Sequence, residues 1–146
     1  MKHSPEGALL TSIILDIFRL NGLLIQEGDK LVKELGLTSA RWKVLGALSS
    51  SNVPLTVSDI ARNMGQSRQS VQRLANEMTE EGLLVNFDNP NDKRAKLYSL
   101  AESGVKSFAE AMEKQSIWAN KLVVDIPEKE LENTSNLLQK ITLKLD

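Results

Sequence analysis

Apolar residues over positions 8–35 recur with the 3.6-residue period of a helix: Leu10, Ile13, Ile14, Ile17, Leu24 and Leu31, interrupted at Asn21 and Gly28. Leu9, Leu20 and Leu23 widen the stripe around the helix. A helix apolar on more than one face is covered on more than one face. In so short a chain the second cover is either a partner subunit or the protein's own core, and both stay open at this point. Gly36 suits the position just past the end of this helix. Thr38 or Ser39 can cap the next, which carries Trp42, Val44, Leu45 and Leu48. Ser49-Ser50-Ser51-Asn52 and then Pro54 mark a break.

Residues 56–82 predict two short helices. Thr56 or Ser58 caps the first, which holds Ile60, Ala61 and Met64 and stops at Gly65; Ser67 caps the second, which carries Val71, Leu74, Ala75 and Met78 and stops at Gly82. The period then changes. Residues 83–87 and 96–100 read as strands around the turn-forming Asp88-Asn89-Pro90-Asn91-Asp92, giving a hairpin with a long tip. Residues 102–126 return to helix through Val105, Phe108, Ala109, Met112, Ala119, Leu122, Val123 and Ile126. Pro127 fits a first helical position, and Leu131, Leu138, Ile141 and Leu145 space a last helix like a helix–helix seam. The expected fold class is mostly α with one small β-hairpin, in a single domain over residues 1–146.

Composition narrows the chemistry. The 146 residues carry no cysteine, a single histidine, His3, and a formal net charge of −1. Thiol catalysis, thiol redox sensing, cysteine-ligated metals and a core Ser-His-Asp triad are thereby excluded. No nucleophile–base pair, phosphate loop or paired-carboxylate motif stands out, so an enzyme is not expected, and neither is a cofactor. No apolar run approaches the roughly 18 residues that span a bilayer. Met-Lys-His-Ser-Pro-Glu-Gly lacks the layout of a signal peptide. The expectation is a cytoplasmic chain with no membrane partner.

The sharpest signal lies at 57–76. Two short helices joined at Gly65 match a helix-turn-helix: Ala61 is small where the second helix crosses, Gly65 supplies the turn's positive φ, and Ile60, Met64, Val71 and Leu74 form the small core between them. Arg68, Gln69, Gln72 and Arg73 then fall on one face, opposite Val71 and Leu74. Arginine bonds guanine and glutamine bonds adenine through two hydrogen bonds each. Ser67 and Ser70 suit phosphate near the helix N-terminus. With Ser58 these are the candidate DNA-contacting residues of the two helices. Glu77, Glu80 and Glu81 are held back to the far end. An ordinary solvated helix face is the plain alternative, and the polarised arrangement argues against it. Beyond the turn, Lys93, Arg94 and Lys96 give the hairpin a basic tip able to enter a minor groove, with Asp92 expected to orient an arginine.

Gly36-Leu37-Thr38, Ala61, Gly65, Glu81-Gly82-Leu83, Asn91-Asp92-Lys93-Arg94-Ala95-Lys96, Leu100 and Gly104 together resemble the MarR family of bacterial winged-helix regulators, over nearly the whole chain. The resemblance implies a winged helix-turn-helix lobe over 37–100, with its wing at 83–100. It implies dimerisation helices at 8–35 and 102–146. It further implies a homodimer that binds a pseudo-palindrome in double-stranded DNA, usually as a repressor, with release by a small organic effector in many members. Two residues depart from the family's pattern. Asn86 stands where an arginine often supports the wing. Ala101 replaces the threonine that caps the following helix, with Ser99 or Ser103 left to compensate. Phe18, Arg41 and Trp42 are candidates to line an effector pocket beneath the lobe. Two core aromatics and a surface arginine is the simpler reading of the same three residues. Trp118, Met112 and Met78 read as packing.

A second function class remains in view. Residues 56–100 hold six basic and six acidic side chains, so a winged-helix module that binds protein without specific DNA binding is the alternative. Placement of charge, not its sum, has to carry DNA affinity.

Overall fold

A computed structural model describes residues 1–146. In chain order the elements are α1 (Pro5–Val32), continued by a 3-10 turn (Lys33–Leu35), α2 (Ser39–Ser49), α3 (Val57–Met64), α4 (Arg68–Glu80), β1 (Leu84–Phe87), β2 (Leu97–Leu100), α5 (Glu102–Leu122) and α6 (Glu128–Leu145). This is the mostly helical fold with one hairpin that the pattern predicts. The chain divides into two compact units, Met1–Lys114 and Gln115–Asp146.

Local chemistry sets the helix ends. The first helix starts three residues before its predicted position because Ser4 caps it, accepting from the Gly7 N–H at 3.0 Å, with Pro5 directly after. Thr38, not Ser39, caps α2. Ser39 is buried instead and ties α2 to α1: its hydroxyl donates to the Ile25 carbonyl at 2.8 Å and its N–H to Asp29 at 2.7 Å. Gly28, an interruption in the apolar stripe, is the point where the two helices cross. A Cβ there would lie 2.4 Å from the Ser39 hydroxyl. Thr56 caps α3 in a reciprocal box with Asp59, so Ser58 stands inside the first turn and caps nothing. Gly65, at φ 66°, makes the turn that α4 follows, and α4 runs on to Glu80, beyond the predicted motif end at 76.

The core is one cluster beneath the helix-turn-helix. Leu45, Ile60, Val71, Ala75 and Met78 are fully enclosed, and Ala61 is nearly so, as close crossing of α3 and α4 requires. Each large side chain buried this way is worth about 1.5–3 kcal/mol. The hairpin pairs Leu84 with Leu100 through Phe87 with Leu97 in antiparallel register. Leu55, just before α3, adds a short bridge to Tyr98, donating at 3.1 Å and accepting at 2.8 Å. One residue is too short a strand for periodicity to reveal.

The start of α5 is jammed against the turn before the hairpin. Ala101 donates to the Leu83 carbonyl at 2.9 Å and Ser103 to the Gly82 carbonyl at 2.6 Å. Ser103 therefore does not replace the missing threonine cap; it pins the helix to the turn. Gly104 is buried there, and a Cβ on it would sit 2.2 Å from the Leu83 carbonyl oxygen.

Away from its crossing with α2, the first helix leaves large apolar residues exposed. On α1, Leu9, Leu15, Phe18 and Leu20 are all at least half exposed. The run-based expectation about membranes needs correcting. By length and composition Pro5–Leu35 qualifies to cross a bilayer. Counting uninterrupted runs missed it because Asp16 and Arg19 break the stretch. Those two ionisable groups, one turn apart, would each cost about 2.5–3.5 kcal/mol at the centre of a span. In the second unit, α6 begins at Glu128 with Pro127 in the cap place, one residue before the predicted role, and buries nothing within the chain. Met112, expected in the core, is 40% exposed.

Replacing Gly104 by alanine should destabilise the fold by about 1–3 kcal/mol, because the carbonyl it would strike belongs to backbone that cannot swing aside. Urea denaturation measures it, and an unchanged midpoint would show the junction to be slack.

Candidate nucleic-acid interface

Because α4 hides Val71, Ala75 and Met78 completely, its other face is forced into solvent. Arg68, Gln69, Gln72 and Arg73 are exposed there, as the pattern predicts. Ser67 caps the helix by accepting from the Ser70 N–H at 3.2 Å, and the Ser70 hydroxyl donates to the Ser67 carbonyl at 3.2 Å. Both serines thus shape the N-terminal turn that presents the arginine and glutamines.

The hairpin tip closes over this surface. A cleft of about 670 Å³ is lined by Thr56, Val57 and Ser58 at the start of α3 and by Arg68, Gln69 and Gln72 on α4. Asp92, Arg94, Ala95 and Lys96 of the wing complete it. Residues as far apart in sequence as Thr56 and Lys96 are brought to one place, and seven of them are sequence-predicted: Ser58, Arg68, Gln69, Gln72, Asp92, Arg94 and Lys96. Ser67, Ser70, Arg73 and Lys93 do not line the cleft; Arg73 and Lys93 are exposed, on α4 and at the wing tip.

Asp92 organises the tip as expected. Its Oδ1 accepts from the Arg94 N–H at 3.0 Å and lies 3.6 Å from the Arg94 Nε. The Arg94 side chain is nonetheless 94% exposed, so it projects instead of folding back. Lys96 pairs with Asp88 at 3.6 Å across the loop. These two pairs brace the wing where Asn86, exposed opposite Tyr98, provides no charge.

Two interactions lay outside the reach of sequence reasoning. Arg41 of α2, its side chain only 17% exposed, reaches both Glu77 at 3.3 Å and Glu81, one turn apart on α4. Its pKa is raised above an already high ordinary value, first by the hydrogen bond to Glu81, against the opposing effect of burial. Two acids four residues apart do signal a waiting cation, but nothing local says it stands 36 residues upstream. The second is at Gln72, whose amide nitrogen donates to Asn76 at 2.9 Å and to the Tyr98 hydroxyl at 3.2 Å.

The proposed effector trio is not assembled. Arg41 is taken up by the two glutamates. Trp42 packs on the core, its ring beside Gly28. Phe18 is 69% exposed, ten residues up α1 from Gly28, which is about 15 Å along a helix. Spacing within separate helices could not show that they point to different places.

The chain is similar to known proteins in sequence and in fold. The MarR family model matches residues 35–95, the stretch that holds the helix-turn-helix and wing tip. An uncharacterised protein of Mycobacterium tuberculosis is 31% identical over 136 residues, covering 93% of this chain and 94% of its own. Among solved structures, a MepR–DNA complex of Staphylococcus aureus superposes with a TM-score of 0.77 at 23% identity, over 89% of this chain and 96% of that one. CouR of Rhodococcus jostii, bound to p-coumaroyl-CoA, gives 0.77 at 23% over 88% and 90%.

Arg41→Ala should loosen α4 from α2 and cost about 1 kcal/mol, a modest figure because both glutamates are nearly half exposed. Thermal melts of Arg41→Ala, Glu77→Gln and Glu81→Gln check it; wild-type stability in all three would mean the clasp adds nothing.

Proposed function

The chain belongs to the MarR family of transcriptional regulators, and we propose that it works as a homodimeric, sequence-specific repressor that binds a pseudo-palindromic operator in the cytoplasm. The observation that carries this reading is the shared cleft, where Ser58, Arg68, Gln69 and Gln72 face Arg94 and Lys96. The exposed face of α4 enters a major groove, with Arg73 and Gln69 against base edges. Ser58, Ser67 and Ser70 lie on the phosphate side. Lys93 and Lys96 add backbone contacts, and Arg94 reaches the adjacent minor groove, whose negative potential holds it.

The exposed apolar residues of α1, among them Leu9, Leu15, Phe18 and Leu20, and of α6, among them Leu143 and Leu145, support the homodimer. A second copy supplies that cover, and two-fold symmetry then sets two reading heads on one duplex. Residues 1–146 act as one functional domain in this arrangement. Release by a small organic effector fits a chain without cysteine and with one histidine, and the similar CouR is bound to an organic molecule, p-coumaroyl-CoA.

Selection from a random duplex pool at near-physiological salt tests the reading, with an Arg73→Ala, Arg94→Ala double variant alongside. Wild type should enrich an inverted repeat with half-sites about 10 bp apart; the double variant should not. Arg73→Ala alone should lose about 1–3 kcal/mol and relax one base position. Affinity should fall steeply as salt rises, in proportion to the phosphates contacted. No enrichment and no salt dependence would hand the winged helix to a protein partner. Deleting 127–146 should leave monomers or aggregates in sedimentation, and a well-behaved dimer would move the interface elsewhere.

A further inference from the structure

We infer that Tyr98 is a positioning residue for base recognition: it holds Gln72 so that only the amide oxygen is free, and the protein reads a base that offers a donor, cytosine or adenine, at that position. The inference rests on the DNA-reading role proposed above and deepens it.

Tyr98 is the buried polar side chain of the hairpin, next to Gln72. It is 2% exposed, and its backbone is held on both sides, by β1 and by the exchange of two hydrogen bonds with Leu55. The phenol oxygen is thus fixed by strand pairing and by the core around the ring. A buried tyrosine hydroxyl needs a partner, and here that partner is Gln72, whose Nε2 donates to it at 3.2 Å. The second N–H of the same amide goes to the Asn76 Oδ1 at 2.9 Å, one turn along α4. Both donors are spent. The Oε1 accepts no hydrogen bond from the protein, and Gln72 is an exposed residue lining the cleft.

A free glutamine bonds adenine twice, accepting from N6 and donating to N7. A glutamine with both N–H groups engaged can only accept. In the major groove the donors are cytosine N4 and adenine N6, while guanine and thymine present acceptors there. The held amide therefore accepts cytosine and adenine about equally and repels guanine and thymine. Freeing one N–H restores the second bond to adenine alone.

Tyr98→Phe removes the hydroxyl and keeps the ring that fills the core. Duplex-pool selection is run with wild type, Gln72→Ala, Tyr98→Phe and Gln72→Glu. The position whose preference collapses in Gln72→Ala is the one Gln72 reads. At that position wild type should take adenine and cytosine within about twofold of each other. Tyr98→Phe should favour adenine over cytosine by about fivefold or more. Gln72→Glu, which can only accept, should keep the preference for cytosine or adenine while binding more weakly overall. These variants should leave the salt dependence unchanged in Tyr98→Phe, which touches no phosphate. Adenine alone in wild type, with no change in Tyr98→Phe, overturns the inference. So does a wild-type preference for guanine or thymine, which would mean the amide sits the other way round. No position sensitive to Gln72→Ala overturns it while leaving the operator reading intact. Failure of wild type to enrich any sequence removes both.

Discussion

Everything in the DNA-binding lobe depends on burying one side of α4 completely. Val71, Ala75 and Met78 have no exposure at all, while Arg68, Gln69, Gln72 and Arg73 on the other side are open. That division is an energetic one. Burying three apolar side chains is worth several kcal/mol, whereas burying an unpaired arginine would cost far more. The helix therefore has a single rotational setting, and the polar face has a single direction. The surrounding parts act on this setting: α3 crosses at Ala61, α2 lies beneath, Arg41 grips the far end, and Tyr98 meets the outer face from the wing. The recognition surface is rigid because the core under it is full.

Much of this was legible in the sequence, for a definable reason. Caps, glycines and periodicity act over at most a few residues. So Thr38, Ser67, Gly65 and the two strands are where the sequence places them. The polar face of α4 and the Asp92–Arg94 pair are equally local, within one helix and one turn. What escaped is what joins distant segments. Arg41 to Glu81, Leu55 to Tyr98, Gly28 to Ser39 and Gly104 to Leu83 each depend on how elements are set against one another. Gly28 and Gly104 carry no local signature that separates a crossing point from a weak helix position. Phe18, Arg41 and Trp42 lie apart in the chain for the same reason: spacing within a helix does not give direction between helices.

The terminal helices obey a different economy from the lobe. The lobe closes over its own apolar residues; α1 and α6 leave theirs open. A chain of 146 residues has enough material for one full core, and this one places that core under the reading face. The apolar residues that stay exposed lie on the helices outside it. For α1 the same feature explains why composition alone reads as a membrane span: a helix meant for a protein partner on several faces and one meant for lipid differ mainly in such residues as Asp16 and Arg19.

The clasp at the end of α4 also decides what the lobe looks like from a distance. Six positive and six negative side chains over residues 56–100 cancel in sum. They do not cancel in space. The negative end of the helix dipole, with Glu77 and Glu81, is turned inward onto Arg41, while the positive end, with Arg68, projects. An approaching polyanion meets almost no pull beyond the screening length of about 10 Å and a strongly directional one inside it. Such a surface does not gather nucleic acid from afar. It sorts orientations on contact, turning away the acidic back of the helix and accepting the basic front.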